Sequence, residues 1–474
     1  MKHYDYVVIG SGLSAYVAVK ELLSKKKNFA VIDIGQTIEK NISDIYQKKG
    51  WNYIKQNKNQ ILKKLNILQS KAKLKLSYGS DHSYFYSKNY ENLKLPKIDI
   101  LISKSLGGFS NNWGGVLYLY NSSELKNWPI NKNKFYQDLE EVGKNFKIDK
   151  QSIKELLIND QEIETNSKYF KDAIVALNNC KSRGMCMYGC PENSILNTKN
   201  LFSELISKKT INYFSNLRLN KIRNNDQLEL ECITINDLKK INFSAGKVFL
   251  AAGPVSTSHI ILNSFDEIQQ LRVKDSSMFV FPLINLKKKR RIHGKQMCTK
   301  IFKYHKNENN FLIQIYDEIE FFLYKFPSVI KDIFNKYLKL SIGIGYLESK
   351  DSSELVLEKE NNKIFYKTKK NFNYFKRIYY LFLFCINTMK KGIISFPFLQ
   401  YKLNDFSSYH LGASIPMTSV SNKNLRVYTD SIGRLNLNDK IIILDSSNFT
   451  NIQPGSISLM SMINSQRITK ANIK

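Results

Sequence analysis

Three of the six cysteines lie close enough together in the sequence to bind a metal as a group. Cys180, Cys186 and Cys190 fall within eleven residues, in a C-x5-C-x3-C pattern, and Pro191 follows the last of them. Close thiolates are the ligands of iron–sulfur clusters, and a Cys-Pro pair also ends the ligand run of bacterial ferredoxins. Two other interpretations stay open: a zinc site without the usual C-x2-C hooks, and a structural loop whose thiols bind nothing.

A glycine-rich turn near the amino terminus predicts a dinucleotide site. The apolar residues 6–9 lead into Gly10, Gly12 and Ala15, which follow the G-x-G-x-x-A pattern. Gly10 permits a tight turn, Gly12 lets the backbone approach a pyrophosphate, and Ala15 lets the following helix pack closely on the strand. The helix opens with two further residues of the predicted site, Leu13 and Ser14.

A second apolar run supports this interpretation. Residues 29–32 end in Asp33, twenty-three positions after Gly10, where an acid is expected to bind the ribose hydroxyls. Strand, glycine turn, helix, strand and acid in this order predict a Rossmann-like unit. The alternative is an ordinary α/β turn, and the pattern alone does not choose between NAD and FAD.

Further segments, taken together, resemble the glucose-methanol-choline (GMC) oxidoreductases, FAD enzymes that oxidise alcohols. They are residues 105–115 (SLGGFSNNWGG), 128–140, 247–254 (KVFLAAGP), 407–417 (SSYHLGASIPM) and 441–449 (IIILDSSNF). The resemblance covers about half of the chain. Residues 36–100 and 276–400 match no family segment.

The resemblance implies a noncovalent FAD. Glycines in residues 105–115 would let the backbone lie against the flavin, because a side chain would block so close an approach. Where pyranose-oxidase-like relatives carry a histidine that bonds the flavin, this chain has Asn112. The FAD-binding residues implied beyond the first turn are Gly107, Gly108, Ser110, Asn112, Trp113, Gly114, Ala252, Gly253, Asp445, Gly455, Ser456 and Ile457.

The resemblance also implies a catalytic histidine. His410 matches the family position over the flavin, and histidine suits a general base because its ordinary pKa lies near neutrality. The alternative is a histidine hydrogen-bonded in a polar core. The family's second catalytic His or Asn falls on Ser456, and serine donates a hydrogen bond but is no base. Three interpretations follow: His410 is the only base and a hydroxyl group assists it, or the match to the family is displaced by one or two residues, or the catalytic pair has been lost.

The predicted reaction is hydride transfer from a CH–OH carbon of an alcohol or sugar-like substrate to flavin N5. In membrane-associated FAD-dependent sugar dehydrogenases of the same family, a similar cysteine spacing holds a three-iron cluster. The resemblance would then make Cys180, Cys186 and Cys190 a relay to an acceptor such as a cytochrome or other redox protein, and the enzyme a dehydrogenase rather than an oxidase. The alternative is a flavoprotein that has lost alcohol oxidation and serves in electron transfer or as a structural component.

Composition excludes two classes of protein. The formal charge is +31, but 62 lysines and only 10 arginines are spread along the chain, so we expect no nucleic-acid partner. Hydrophobic residues at 43% and aromatic residues at 12% exclude a disordered chain. Few cysteines and no signal-peptide pattern predict a cytoplasmic protein.

Three segments raise the hypothesis of a peripheral membrane contact. Residues 287–291 (KKKRR) form the densest basic run, and residues 321–340 and 375–398 interleave aromatic residues with lysines. A solvated loop and amphipathic core helices are the alternatives.

The predicted fold class is α/β plus α+β: a discontinuous Rossmann-like FAD-binding domain and a substrate-binding domain on an antiparallel sheet backed by helices. In the latter, residues 311–316 and 340–346 are predicted strands. The predicted ranges are 1–35, 101–115, 195–275 and 405–474 for the FAD-binding domain, 36–100 and 116–194 for insertions including the cysteine-rich loop, and 276–404 for the substrate-binding domain.

Overall fold

The structure is a computed structural model. It describes residues 1–37, 100, 102–181, 186, 190, 193–224, 226–286, 297–317, 340–419 and 425–473. The basic run at 287–291 and the aromatic residues 321–339 lie outside the described residues.

The described part of the chain contains seven α-helices. They are α1 (Leu13–Ser24), α2 (Lys132–Asn145), α3 (Lys150–Asn166), α4 (Thr198–Ser207), α5 (Pro254–Ser264), α6 (Tyr374–Thr388) and α7 (Ser458–Asn472).

The first sheet is mostly parallel, as predicted for a Rossmann-like unit. Its strands are β1 (Lys2–Ile9), β2 (Phe29–Ile32), β4 (Asn212–Phe214), β5 (Leu217–Asn224), β6 (Leu228–Thr234), β7 (Lys240–Leu250), β17 (Arg434–Leu435) and β18 (Asn438–Ile443). The order is β17-β18-β7-β1-β2-β4, with β6 also on β7 and β5 on β6. Strands β18, β7, β1, β2 and β4 run parallel to one another, and β17 pairs with β18 in the antiparallel direction.

Burial on both faces explains the sequence of these strands. Val7, Val8, Val31 and Val248 are completely buried, because helices cover both faces of a parallel sheet and leave no polar side. Strands β1 and β2 end at the same edge, so Gly10 and Asp33 come together there.

The second sheet is antiparallel. Its strands are β3 (Lys168–Asp172), β9 (Met278–Asn285), β10 (Lys300–Lys306), β11 (Asn309–Tyr316), β12 (Leu340–Leu347), β15 (Ile393–Ser395) and β16 (Tyr401–Lys402). The order is β15-β9-β12-β11-β10-β3, with β16 also on β9. The two predicted strands are confirmed as the neighbours β11 and β12, and α6 covers one face of the sheet through Tyr380 and Phe384.

A third sheet is small and antiparallel, with the order β14-β13-β8. Its strands are β8 (Gln270–Lys274), β13 (Glu354–Glu360) and β14 (Lys363–Lys369). The predicted fold class, a Rossmann-like domain with a second domain built on an antiparallel sheet, is confirmed. The domain boundaries stay a prediction, and β3, from a predicted insertion, is an edge strand of the second sheet. No helix within the described ranges is both long and apolar enough to cross a bilayer.

A buried ion pair joins the second sheet to the segment before α2. The Lys303 ammonium lies 2.6 Å from a Glu124 carboxylate oxygen, and both side chains are completely inaccessible to water. Asn310 accepts a second hydrogen bond from Lys303, at 2.6 Å. Burial lowers the pKa of Lys303, and the Glu124 carboxylate opposes that shift.

Removing one partner of this pair should destabilise the protein strongly. We expect E124A to lower the free energy of unfolding by roughly 3–5 kcal/mol, because Lys303 would keep a buried charge without its counter-charge. The control is E204A, which breaks the exposed pair between Glu204 and Lys208 and should leave stability nearly unchanged. Urea unfolding monitored by intrinsic fluorescence measures both, and equal losses would contradict the expectation.

Candidate functional site

A cleft runs along the carboxyl ends of the parallel strands and extends to the second sheet. The turns after β1, β2 and β7 form one side, and Gln314, Ile344 and Tyr346 of the second sheet line the other. Most of the predicted site residues line it: Gly10, Gly12, Leu13, Ser14, Asp33, Gly108, Ser110, Asn112, Trp113, Gly114, Ala252, Gly253, His410, Asp445, Ser456 and Ile457. Ligands of open α/β sheets bind at this edge.

Three predicted residues lie just behind the lining. Ala15 is completely buried in α1. Gly107 has a φ of 91°, and its N–H donates to the Ser11 hydroxyl at 2.8 Å. Gly455 has a φ of 113°, and an added Cβ would lie 3.0 Å from Leu312. These residues shape the backbone of the cleft and do not line it.

The glycine turn leaves room for a ligand on one side only. Gly10 has a φ of +104°, and an added Cβ would lie 2.5 Å from the Ala251 carbonyl oxygen, so a larger residue cannot fit. An added Cβ at Gly12 would meet nothing within 4 Å. Gly108 approaches from the second glycine segment, where its added Cβ would lie 3.5 Å from Gly12 Cα. The two backbones thus meet at the cleft.

Three helices begin at this cleft, although the N-cap N–H of α5 already donates to a carboxylate of the protein. Residues from the first turn of each of α1, α5 and α7 line it, and the N-cap residues are Gly12, Gly253 and Ile457. Because two N-cap residues are glycine and the third is isoleucine, no N-cap side chain accepts a hydrogen bond from the helix. None of the three first turns contains an acidic residue. Such helix ends carry unsatisfied N–H groups and a partial positive charge, which favour an anionic ligand.

Two buried carboxylates stand at the strand ends. Burial raises the pKa of Asp33 to about 6, against hydrogen bonds from Ser11 and Tyr213 that lower it. The Tyr213 hydroxyl donates at 3.1 Å. Asp445 accepts from the Gly253 N–H at 3.0 Å and the Thr257 hydroxyl at 2.5 Å, so it ties the last strand to the start of α5.

Asn112 lacks protein partners for its whole side-chain amide. The residue is 7% exposed and lines the cleft, yet neither its oxygen nor its nitrogen has a hydrogen-bond partner within the described structure. A buried amide without partners costs about 1–3 kcal/mol. This cost indicates that a ligand satisfies the amide.

Hydrogen bonds to the buried Asp275 fix the backbone of the His410 segment. The His410 N–H donates to the Ser408 hydroxyl at 2.9 Å, and that hydroxyl donates to Asp275 at 2.5 Å. Tyr409 has a φ of 62° and Ala413 a φ of 54°, so the histidine lies in a strained stretch of backbone, as residues at functional sites often do.

An aromatic wall from the second sheet faces this histidine. The Tyr346 ring lies 5.0 Å from the His410 ring, between centroids. Gln314 accepts from the Tyr316 hydroxyl at 2.8 Å and from the Tyr346 hydroxyl at 3.4 Å. Ser456 is buried and lines the same cleft. The arrangement brings an imidazole, hydroxyl groups and flat aromatic surfaces together in one cleft.

The sequence did not identify Gln314, Tyr316 and Tyr346 as site residues, and it did not identify the threonine that connects the two glycine segments. Thr198 is completely buried; its hydroxyl donates to the Ser11 carbonyl at 2.8 Å, and its N–H donates to Ser110 at 2.9 Å. A single threonine thus joins the two glycine segments. No local pattern marks it, because its partners are distant in sequence.

The predicted metal ligands lie elsewhere. Cys180, Cys186 and Cys190 do not line the cleft, and the Ser194 N–H donates to the Cys190 sulfur at 3.3 Å. Within the described residues, which include all three, no group of three or more His, Cys, Asp or Glu side chains could hold a metal ion. The iron–sulfur prediction therefore gains no support.

Comparison with known proteins bears on the fold. No protein-family model matches the sequence, and no curated protein is significantly similar to it. In structure, 725 solved chains are similar, which marks a widespread architecture that does not by itself select a reaction. One is the crystal structure of pyridoxine 4-oxidase from Mesorbium loti, with a TM-score of 0.60, 9% identity and 99% of each chain covered. The chain shares the fold of that oxidase.

Asp275, which anchors the His410 segment, should make stability depend on pH. Burial raises its pKa to about 6, so the folded protein holds this proton more tightly than the unfolded chain does. Stability should therefore fall as pH rises from about 4 to about 6. D275N removes this titration, so its stability relative to the parent should improve by roughly 3 kcal/mol over that range.

The control for this prediction has the opposite sign. The pKa of Asp149 is lowered by hydrogen bonds from Ser152, so D149N should lose stability relative to the parent as pH rises. Urea unfolding of all three proteins at several pH values measures both trends. A D275N difference that does not change with pH would contradict the assignment.

Proposed function

We propose that the protein is an FAD-dependent oxidoreductase of the GMC type that oxidises a CH–OH group, with His410 as general base. The observation that carries the proposal is the buried amide of Asn112, which has no partner among the described residues and lies in the same cleft as three helix starts and a histidine. The shared fold with a pyridoxine 4-oxidase supports an oxidoreductase of this kind.

The residues of the cleft fit FAD. The first turn of α1, opened by Gly12, would hold the pyrophosphate through backbone N–H groups. Asp33 would accept hydrogen bonds from the ribose hydroxyls. Asn112 and the start of α7 would hold polar atoms of the flavin, and Asn112 cannot form the covalent bond that a histidine could. When bound, FAD supplies the hydride acceptor.

The remaining chemistry belongs to side chains of this chain. His410 would take the proton of the substrate hydroxyl as the hydride leaves carbon. Ser456 would donate a hydrogen bond to the substrate oxygen, which orients it toward the histidine. The wall of Tyr316, Tyr346 and Gln314 would pack against the rest of the substrate and exclude water.

The substrate class follows from this wall. Flat aromatic rings with hydroxyl groups suit an alcohol carried on a ring, either a sugar or an aromatic compound. Because a protein of this fold is named for pyridoxine, that alcohol belongs in the test panel with sugars, polyols and long-chain alcohols. We propose that the electron acceptor is a redox protein rather than oxygen. Turnover measured with an artificial dye as acceptor, compared with turnover in oxygen alone, tests this proposal.

The role of Asn112 can be tested by a substitution of similar volume. N112L should lower FAD affinity by roughly tenfold to a hundredfold, because the cofactor would lose its hydrogen bonds to the amide. The same change should leave the cofactor-free protein equally stable or more stable, since it removes an unsatisfied buried amide. FAD titration and thermal unfolding measure the two effects.

Asn448 provides a matched control. Its amide is completely buried but satisfied within the protein, where it donates to the Ile443 carbonyl at 2.7 Å and accepts from Asn464 at 2.9 Å. N448L should destabilise the protein with or without FAD. Destabilisation of the cofactor-free protein by N112L to the same extent would argue against a ligand on Asn112.

The proposed base is tested by reduction of the bound flavin. H410A should keep its yellow absorption and its reduction by dithionite, but its rate of reduction by alcohol should fall roughly 100-fold to 10,000-fold. S456A, which removes one hydrogen bond, should lose only about tenfold. Stopped-flow absorbance with the alcohol panel measures these rates.

Two results would overturn parts of this proposal. Undiminished reduction in H410A would remove the histidine from the mechanism. A parent protein that binds FAD but is reduced by no alcohol would favour the alternative, a flavoprotein that has lost alcohol oxidation.

A further inference from the structure

Helix α6 is apolar on two opposite sides. On its inner side, Tyr380 stacks on Phe311 with ring centroids 4.3 Å apart, and Phe384 packs on Phe302 at 5.3 Å. This side covers the second sheet and accounts for the position of the helix. The outer side needs a separate explanation, since a helix that is apolar all round is normally buried.

The outer side presents a continuous apolar stripe. We call Phe375, Tyr379, Phe382 and Ile386 the outer stripe; their spacing of four, three and four residues places them on one face. Their exposed fractions are 83%, 48%, 44% and 68%. Four large hydrophobic side chains exposed on one face of one helix are unusual for the surface of a globular protein.

Neighbouring segments extend the outer stripe into a patch. Phe372, just before α6, is 95% exposed, and Phe398 and Tyr401, after β15, are 67% and 60% exposed. The Phe398 ring contacts that of Phe382 edge to face, with centroids 5.9 Å apart. The patch is therefore one surface formed by a helix and an adjoining loop.

The segment that forms the patch carries only cationic charges, although Lys376 of α6 pairs with Asp351 at 2.6 Å and three other lysines also pair with carboxylates outside the segment. Residues 361–404 contain eight lysines and one arginine and no aspartate or glutamate. Lys370 precedes the outer stripe, and Lys390 and Lys391 follow it; all three are exposed and make no ion pair with a described carboxylate. Lysines at both ends of an apolar stripe match an anionic surface.

We propose that this patch seats the protein on an anionic lipid surface, with α6 lying in the interface. Exposed phenylalanines would enter the acyl boundary, tyrosines would lie at the headgroup level, and the lysines would meet lipid phosphates. A second copy of the chain is a poorer occupant, because a symmetric contact would bring two cationic patches together. This inference is independent of the proposed reaction.

Sedimentation with vesicles tests the proposal. The full-length protein should bind vesicles of phosphatidylcholine mixed with phosphatidylglycerol far more tightly than phosphatidylcholine alone, and high salt should weaken that binding. F375S/F382S should lower the partition coefficient by roughly 100-fold on the mixed vesicles. K390E/K391E should lower it by roughly tenfold or more on the mixed vesicles only.

Matched controls show whether the loss of binding is specific to this patch or follows from removing any exposed apolar residue or lysine. I158S/L238S changes two exposed apolar residues on other elements, and K25E/K26E removes two exposed lysines at the end of α1. Both should bind as the parent does. Unchanged unfolding midpoints and cofactor content would show that every variant is folded.

Three outcomes of the vesicle experiment would overturn the proposal. These are absence of parent binding to either vesicle, undiminished binding by F375S/F382S, and equal loss in the control variants. The oligomeric state from light scattering adds a further test: a dimer that F375S/F382S dissociates would show that a second copy covers the patch.

Discussion

The structure depends on a close meeting of backbones at one edge of a parallel sheet. The turns after β1 and β7, the second glycine segment and the start of α7 all converge there, and three helices point their amino-terminal ends into the same cleft. Only glycine can stand where one backbone lies against another, as at Gly10 beside the Ala251 carbonyl. The first turns of the three helices have N–H groups that no carbonyl of the same helix can accept, and an anionic ligand at the cleft would satisfy them.

Buried hydrogen bonds between distant segments hold these backbones in place. Thr198 joins the two glycine segments, Asp445 joins the last strand to α5, and Asp275 holds the His410 segment through Ser408. The polar groups of these three residues have hydrogen-bond partners within the protein. The Asn112 amide differs, because it is buried in the same cleft and has no partner in the part of the chain that the structure describes.

The second sheet serves two surfaces at once. One of its faces presents Tyr316 and Tyr346 to the cleft, and the other is covered by the inner side of α6. A helix that covers a sheet needs only one apolar side, so the outer stripe of α6 is not explained by folding. Part of the net charge of +31 lies beside this stripe, where Lys370, Lys390 and Lys391 are exposed and make no ion pair with a described carboxylate.

The sequence alone determined the local features: the strand, glycine turn and helix at the amino terminus, Asp33 at the next strand end, and the strands β11 and β12. These follow from periodicity and from glycine, which act between neighbouring residues. Tertiary structure decided what depends on distant residues. It brought Tyr346 to His410, buried Asn112 without a partner among the described residues, and placed the three cysteines outside the cleft. The contacts that make such a site cross hundreds of positions, and no local pattern encodes them.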